Sequence, residues 1–143
     1  MSIRNMLITS VCALSLCGGL RAQGSCNVHM ISGVYGTTIN GWGTVTGVGF
    51  VPLSDIGVMT IDDGKGTIKL AVMFGGQSDT IDVTANFTVA KDCTVTFTAT
   101  CPAGCSWAGT GFYSKANKEM DLLFTKFGQG TPPITAIAVL KEL

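Results

Sequence analysis

From residue 25 onward, apolar and polar residues alternate with a period of two between glycine-rich turns, the pattern of antiparallel strands half-buried on one face. Ile81-Asp82-Val83-Thr84-Ala85-Asn86-Phe87-Thr88-Val89 is the clearest run, apolar at every odd position. Thr94-Val95-Thr96-Phe97-Thr98-Ala99-Thr100 repeats the pattern after the short turn Ala90-Lys91-Asp92. The two runs predict a hairpin with Ile81, Val83, Phe87, Val95 and Phe97 facing inward and Thr84, Thr88, Thr96 and Thr98 facing out. Upstream, Asp62-Asp63-Gly64-Lys65-Gly66 is a tight-turn sequence, because Asp-Gly tolerates the positive φ such turns need. It joins a strand at Ile56–Ile61 to one at Thr67–Phe74, and Gly75-Gly76-Gln77-Ser78 makes the next turn. Gly33–Gly41 and Trp42–Phe50 read as two earlier strands, their glycines marking bends or bulges. Downstream come Ser106–Tyr113, a polar turn at Ser114–Glu119, a strand at Met120–Lys126, a turn at Phe127–Thr131, and a last strand at Ile134–Leu140 that begins after Pro132-Pro133.

About eight short strands with tight connections suit an eight-stranded antiparallel up-and-down barrel, whose closure removes exposed edges. A two-sheet sandwich is the alternative, and periodicity does not separate them.

Residues 1–24 break this pattern. Arg4 supplies a positive start, Met6–Leu16 is an apolar stretch too short to span a bilayer comfortably, and Ala22-Gln23-Gly24 offers a cleavage site after Gly24, or after Ala22. The expected organisation is a secretory signal peptide at 1–24 and one domain at 25–143, secreted or periplasmic, with no membrane-spanning helix. An eight-stranded outer-membrane barrel is disfavoured by four cysteines and by the lack of aromatic girdles.

Composition narrows function mainly by exclusion. Charged residues make up 13% of the chain, against roughly 25% in an average soluble protein. Both arginines lie in the first 24 residues, leaving seven lysines against nine acids, a net charge of −2. Nucleic-acid binding needs a basic face and arginine forks, so it is not expected.

Cys12 and Cys17 fall in the leader, and Cys26, Cys93, Cys101 and Cys105 remain. In a secreted chain they read as two disulfides, with three possible pairings. Cys93 and Cys101 end opposite ends of one strand, roughly 26 Å apart at about 3.3 Å per residue, whereas a disulfide needs Cα atoms within about 7 Å. Cys105 shares the Cys101 end. The expected pairs are therefore Cys26–Cys93 and Cys101–Cys105. A zinc site on Cys26, His29, Cys93 and another cysteine is the lesser reading, since the other cysteines lack a paired short spacing. No cofactor or metal is expected.

Three segments together resemble a known group. Cys26 followed by Gly33-Val34-Tyr35-Gly36, the Gly57-to-Gly66 stretch with its Asp63-Gly64 turn, and Val89-Ala90-Lys91-Asp92-Cys93-Thr94 are similar to motifs of small secreted bacterial proteins with an allene oxide cyclase-like barrel. Dirigent proteins and spirocyclising polyketide cyclases share that architecture. The resemblance implies an eight-stranded barrel with an apolar cavity for a hydrophobic ligand, and homo-oligomers are common among such barrels. The glutamates, Glu119 and Glu142, lie in a turn and at the C-terminus, so an interior acid would have to be Asp, and Asp82 lies on the polar face of its strand. Fold analogy alone does not transfer the activity.

No catalytic constellation is visible. The single histidine, His29, lies outside any strong strand, and Asp62 and Asp63 are explained by turn chemistry. No Gly-x-Ser-x-Gly elbow occurs, and the Gly41–Gly49 segment lacks a phosphate-binding lysine. Tyr35, Trp42, Trp107 and Tyr113, near strand ends, and Phe87 and Phe97, on the inner face, are the candidate ligand-binding residues. The functional expectation is a binder of a small hydrophobic molecule. The alternatives are a cyclase- or isomerase-like enzyme and a non-catalytic surface or extracellular structural protein. The outer threonines would suit ordered water or polysaccharide, though Thr is also an ordinary solvent-side strand residue.

Overall fold

The computed structural model describes residues 24–45, 48–127 and 135–143. The expected leader lies outside them, apart from Gly24, as do Pro132-Pro133 and most of the turn before the last strand. A short 3-10 turn at Val28–Ile31 precedes eight strands: β1 (Gly33–Val45), β2 (Gly49–Asp62), β3 (Lys65–Phe74), β4 (Gln77–Val89), β5 (Thr94–Thr100), β6 (Ser106–Ser114), β7 (Glu119–Phe127) and β8 (Thr135–Glu142). Each pairs antiparallel with the next, and β8 pairs with β1, from Tyr35 opposite Glu142 to Trp42 opposite Thr135. The sheet is thus a closed up-and-down barrel, and the sandwich alternative is excluded.

Alternation sets the core. On β4 and β5, Val83, Ala85, Phe87, Val95, Phe97 and Ala99 are buried while the threonines between them face out. Thr88 pairs with Thr96 and Thr84 with Thr100, their hydroxyls 2.5 and 3.3 Å apart. The β2–β3 turn forms at Asp63 and Gly64, both with positive φ, and Gly75 and Gly76 do the same between β3 and β4. Asp-Gly and Gly-Gly are the pairs such turns demand.

The segment from Gly33 to Phe50 departs from expectation. Gly33–Val45 is one uninterrupted strand, and Phe50 already belongs to β2. Gly41 and Gly43 sit in regular register opposite Leu53 and Val51, so these glycines bend nothing out of the ladder. The β-bulge falls instead between β6 and β7, where the register shifts at Ala108/Gly109. There the Thr125 hydroxyl donates to the Ala108 carbonyl at 3.3 Å.

Both expected disulfides are present. Cys26–Cys93 has Cα atoms 5.0 Å apart and Cys101–Cys105 5.2 Å apart. The first holds the 3-10 turn across one barrel end, where Ile31 is fully buried in the core. The Ser32 hydroxyl accepts from the Asp63 amide at 3.1 Å and fastens the same turn to the β2–β3 hairpin. The second disulfide lies at the opposite end, in the β5–β6 connection.

Candidate functional site

The barrel interior is apolar almost throughout. An internal cavity of about 30 Å³ lies at its centre, with Phe87, Phe97, Phe124, Trp107 and Met59 among its lining side chains. The Phe97 ring lies 6.0 Å from that of Phe87 and meets Phe124 edge-on at 5.2 Å. The space is large enough for a water molecule or two and no more.

Thr37 and Asp55 interrupt this apolar wall. They are the buried polar residues among those described, at 3% and 1% exposure. Strand geometry puts them together. Thr37 on β1 stands opposite Gly57 on β2, and Asp55 stands opposite Ile39, so the two are diagonal neighbours on the inner face. Gly57 between them adds no side chain. Thr37 also lines the cavity. Asp55 Oδ1 accepts from the Met73 amide at 3.3 Å, but Oδ2 and the Thr37 hydroxyl have no hydrogen-bond partner among the described residues. Burial pushes the Asp55 carboxyl up to about 6, with the Met73 amide pulling weakly the other way.

A polar cluster of a different kind closes the barrel near the 3-10 turn. Burial, reinforced by Tyr113 and Glu142, pushes the Tyr35 hydroxyl up to about 12. Burial and Glu142 also raise Tyr113. Glu142 itself holds Lys118, Oε2 to Nζ 2.6 Å. On the outer edge of that end, His29 Nδ1 lies 3.1 Å from the Asp63 carboxylate, both side chains well exposed.

The six residues expected to contact a ligand therefore separate. Phe87, Phe97 and Trp107 line the cavity. Tyr35 and Tyr113 are buried at the plugged end and are not among the lining residues. Trp42 does not reach the interior: it is 57% exposed, because an even position on β1 faces outward. Sequence reasoning missed Thr37 and Asp55. The available signal was the phase of β2, since counting back by twos from the apolar Ile61 and Met59 lands on Gly57 and Asp55.

The outer surface is divided as well. Threonines cover β4 and β5, whereas Ile56 and Val58 on β2, Phe112 on β6, Leu123 on β7 and Ile137 on β8 are exposed apolar side chains.

No protein-family model and no curated protein matches this chain. Among the solved structures that share its architecture are two β-barrels. One is a de novo designed fluorescence-activating β-barrel, 12% identical, with a TM-score of 0.55 over 81% of this chain and 96% of that one. The other is the structure of EF1p2_mFAP2b bound to DFHBI, 13% identical, with a TM-score of 0.52 over 80% and 94%. At such identities the likeness is one of fold. The allene oxide cyclase-like resemblance finds no relative among these comparisons, and what they share with it is the barrel architecture.

Proposed function

We propose that this chain is a secreted or periplasmic binding protein that takes a small, largely apolar molecule into the barrel. The observation that carries the reading is the buried Asp55–Thr37 pair in an otherwise apolar interior. A wall that served packing alone gains nothing from a carboxylate there, since burying a polar group without partners costs stability. Small ligand sites pair an apolar lining with a few placed polar groups, and that combination is present. The likeness to fluorescence-activating barrels, one of them bound to DFHBI, supports the reading at the level of architecture. The two disulfides support an oxidising compartment, and the first 24 residues, read as a signal peptide, supply the route. The resemblance of three sequence motifs to those of small secreted bacterial barrels of allene oxide cyclase-like type agrees with this reading.

A second reading, a packed structural barrel, is favoured by the cavity volume of about 30 Å³. Native mass spectrometry of the oxidised protein, incubated with a panel of small apolar molecules, separates the two. A one-to-one adduct that is weakened by Ala99→Leu, which fills the cavity wall, is the expected result. A protein that stays bare across the panel is the packed barrel.

A further inference from the structure

We infer that the interior ligand carries a single primary or secondary ammonium group on an apolar body, held by the Asp55 carboxylate and the Thr37 hydroxyl. The inference rests on the binding reading above and adds the chemical class of the ligand. Asp55 Oδ2 and Thr37 Oγ1 are both buried and both without a hydrogen-bond partner among the described residues, and their residues are diagonal neighbours on β1 and β2. An ionised carboxylate only accepts hydrogen bonds, and a threonine oxygen accepts as readily as it donates. The complement of two neighbouring acceptors, one of them anionic, is a cationic donor with more than one N–H. An ammonium meets that demand, and an anionic ligand would set like charges together in a low-dielectric interior.

The cavity lining, to which Thr37 belongs and against which Asp55 is buried one diagonal step away, sets the remainder of the molecule. Phe87, Phe97, Phe124 and Trp107 offer aromatic surface, which favours a hydrocarbon or single-ring body and attracts a nearby cation through the ring faces. The ligand must enlarge the cavity as it enters. Met59, unbranched and in the lining, is the side chain with the most freedom to yield.

The test compares 2-phenylethylamine with ethylbenzene, the same body without the charge, by NMR titration of the oxidised protein at pH 7.5. A charge-assisted hydrogen bond in a buried site gives the amine a preference of about ten- to a hundredfold. In Asp55→Asn, ethylbenzene binding is expected to persist while the preference for the amine falls to within about threefold. Thr37→Val, close to isosteric, is expected to cut amine binding about threefold to tenfold and to spare ethylbenzene. The wild-type comparison stands even if either variant fails to fold. Equal wild-type affinity for the two probes would overturn the ammonium assignment while leaving a ligand-binding barrel. Binding of neither would overturn both that assignment and the binding reading.

Discussion

Asp55 shows how one residue hides in plain sight in this sequence. Its neighbours Ile56 and Val58 are hydrophobic, so the eye phases the strand on them, yet they are 60% and 52% exposed. Met59 and Ile61 carry the true inner phase, and Asp55 lies on it. Hydrophobicity marks a buried face only where the opposite face is polar, and on β2 it is not. On β4 and β5 the outer positions are threonine, and there the sequence places every inward side chain correctly. Packing at single residues is equally position-specific. Gly109 stands opposite Phe97, and a Cβ there would lie 2.4 Å from Phe97 Cε1 and 2.3 Å from the Leu123 carbonyl oxygen. The carbonyl is backbone and cannot yield as a side chain would. Gly109→Ala is therefore expected to destabilise the barrel by about 1–3 kcal/mol, the range for overpacked cores. Urea unfolding of the variant checks this, and a midpoint equal to wild type would refute the close approach.

At the scale of elements, turns and disulfides were the most legible features. The Asp63-Gly64 and Gly75-Gly76 turns form where positive φ is needed, and the cysteine pairing follows from the length of β5 alone. The long first strand was less legible, because glycines at 41 and 43 look like breaks in a sequence but sit in register in a ladder. The bulge at Thr125 shows in the sequence only as a slip of phase, where apolar Met120, Leu122 and Phe124 are followed by two polar residues, Thr125 and Lys126, before Phe127. The two disulfides are expected to differ in strength. Cys26–Cys93 closes a separation of 67 residues and Cys101–Cys105 one of 4. The loop-entropy relation gives about 4 kcal/mol for the first and about 2 kcal/mol for the second. Paired Cys→Ser variants of each bridge should show that order in urea midpoints. The first variant should also expose Ile31, because the 3-10 turn loses its anchor, and amide exchange at Val28–Ile31 reports it. An equal loss from both bridges would mean that loop closure is not what the long bridge supplies.

For the whole molecule, closure by β1 and β8 leaves an interior with no edge to open, so a charge inside it is felt by the global stability. Asp55 has a folded-state pKa of about 6 against an ordinary value of 3.8. The folded protein therefore holds this proton more tightly than the unfolded chain between about pH 4 and pH 6. Stability must fall as pH rises through that window and level off above it, by on the order of 3 kcal/mol for a shift of about two units. Asp92 acts in the opposite sense at the outer edge of the barrel. The amide and hydroxyl of Thr94 hold its carboxyl below the usual range, so its contribution is present above the ordinary carboxylate pKa and is lost as pH falls below it. The two groups therefore give opposing slopes of stability against pH across the acid range. Urea midpoints measured from pH 3.5 to 8 should trace this curve in the wild-type protein. In Asp55→Asn the decline between pH 4 and 6 should vanish, leaving the acid side unchanged. A decline that survives the substitution would show that Asp55 does not carry the buried charge. A ligand ammonium would reverse the penalty, because ionised Asp55 would then gain the partner that its Oδ2 lacks among the described residues. With 2-phenylethylamine bound, the decline between pH 4 and 6 should flatten or invert, which ties the stability of the fold to occupancy of its interior.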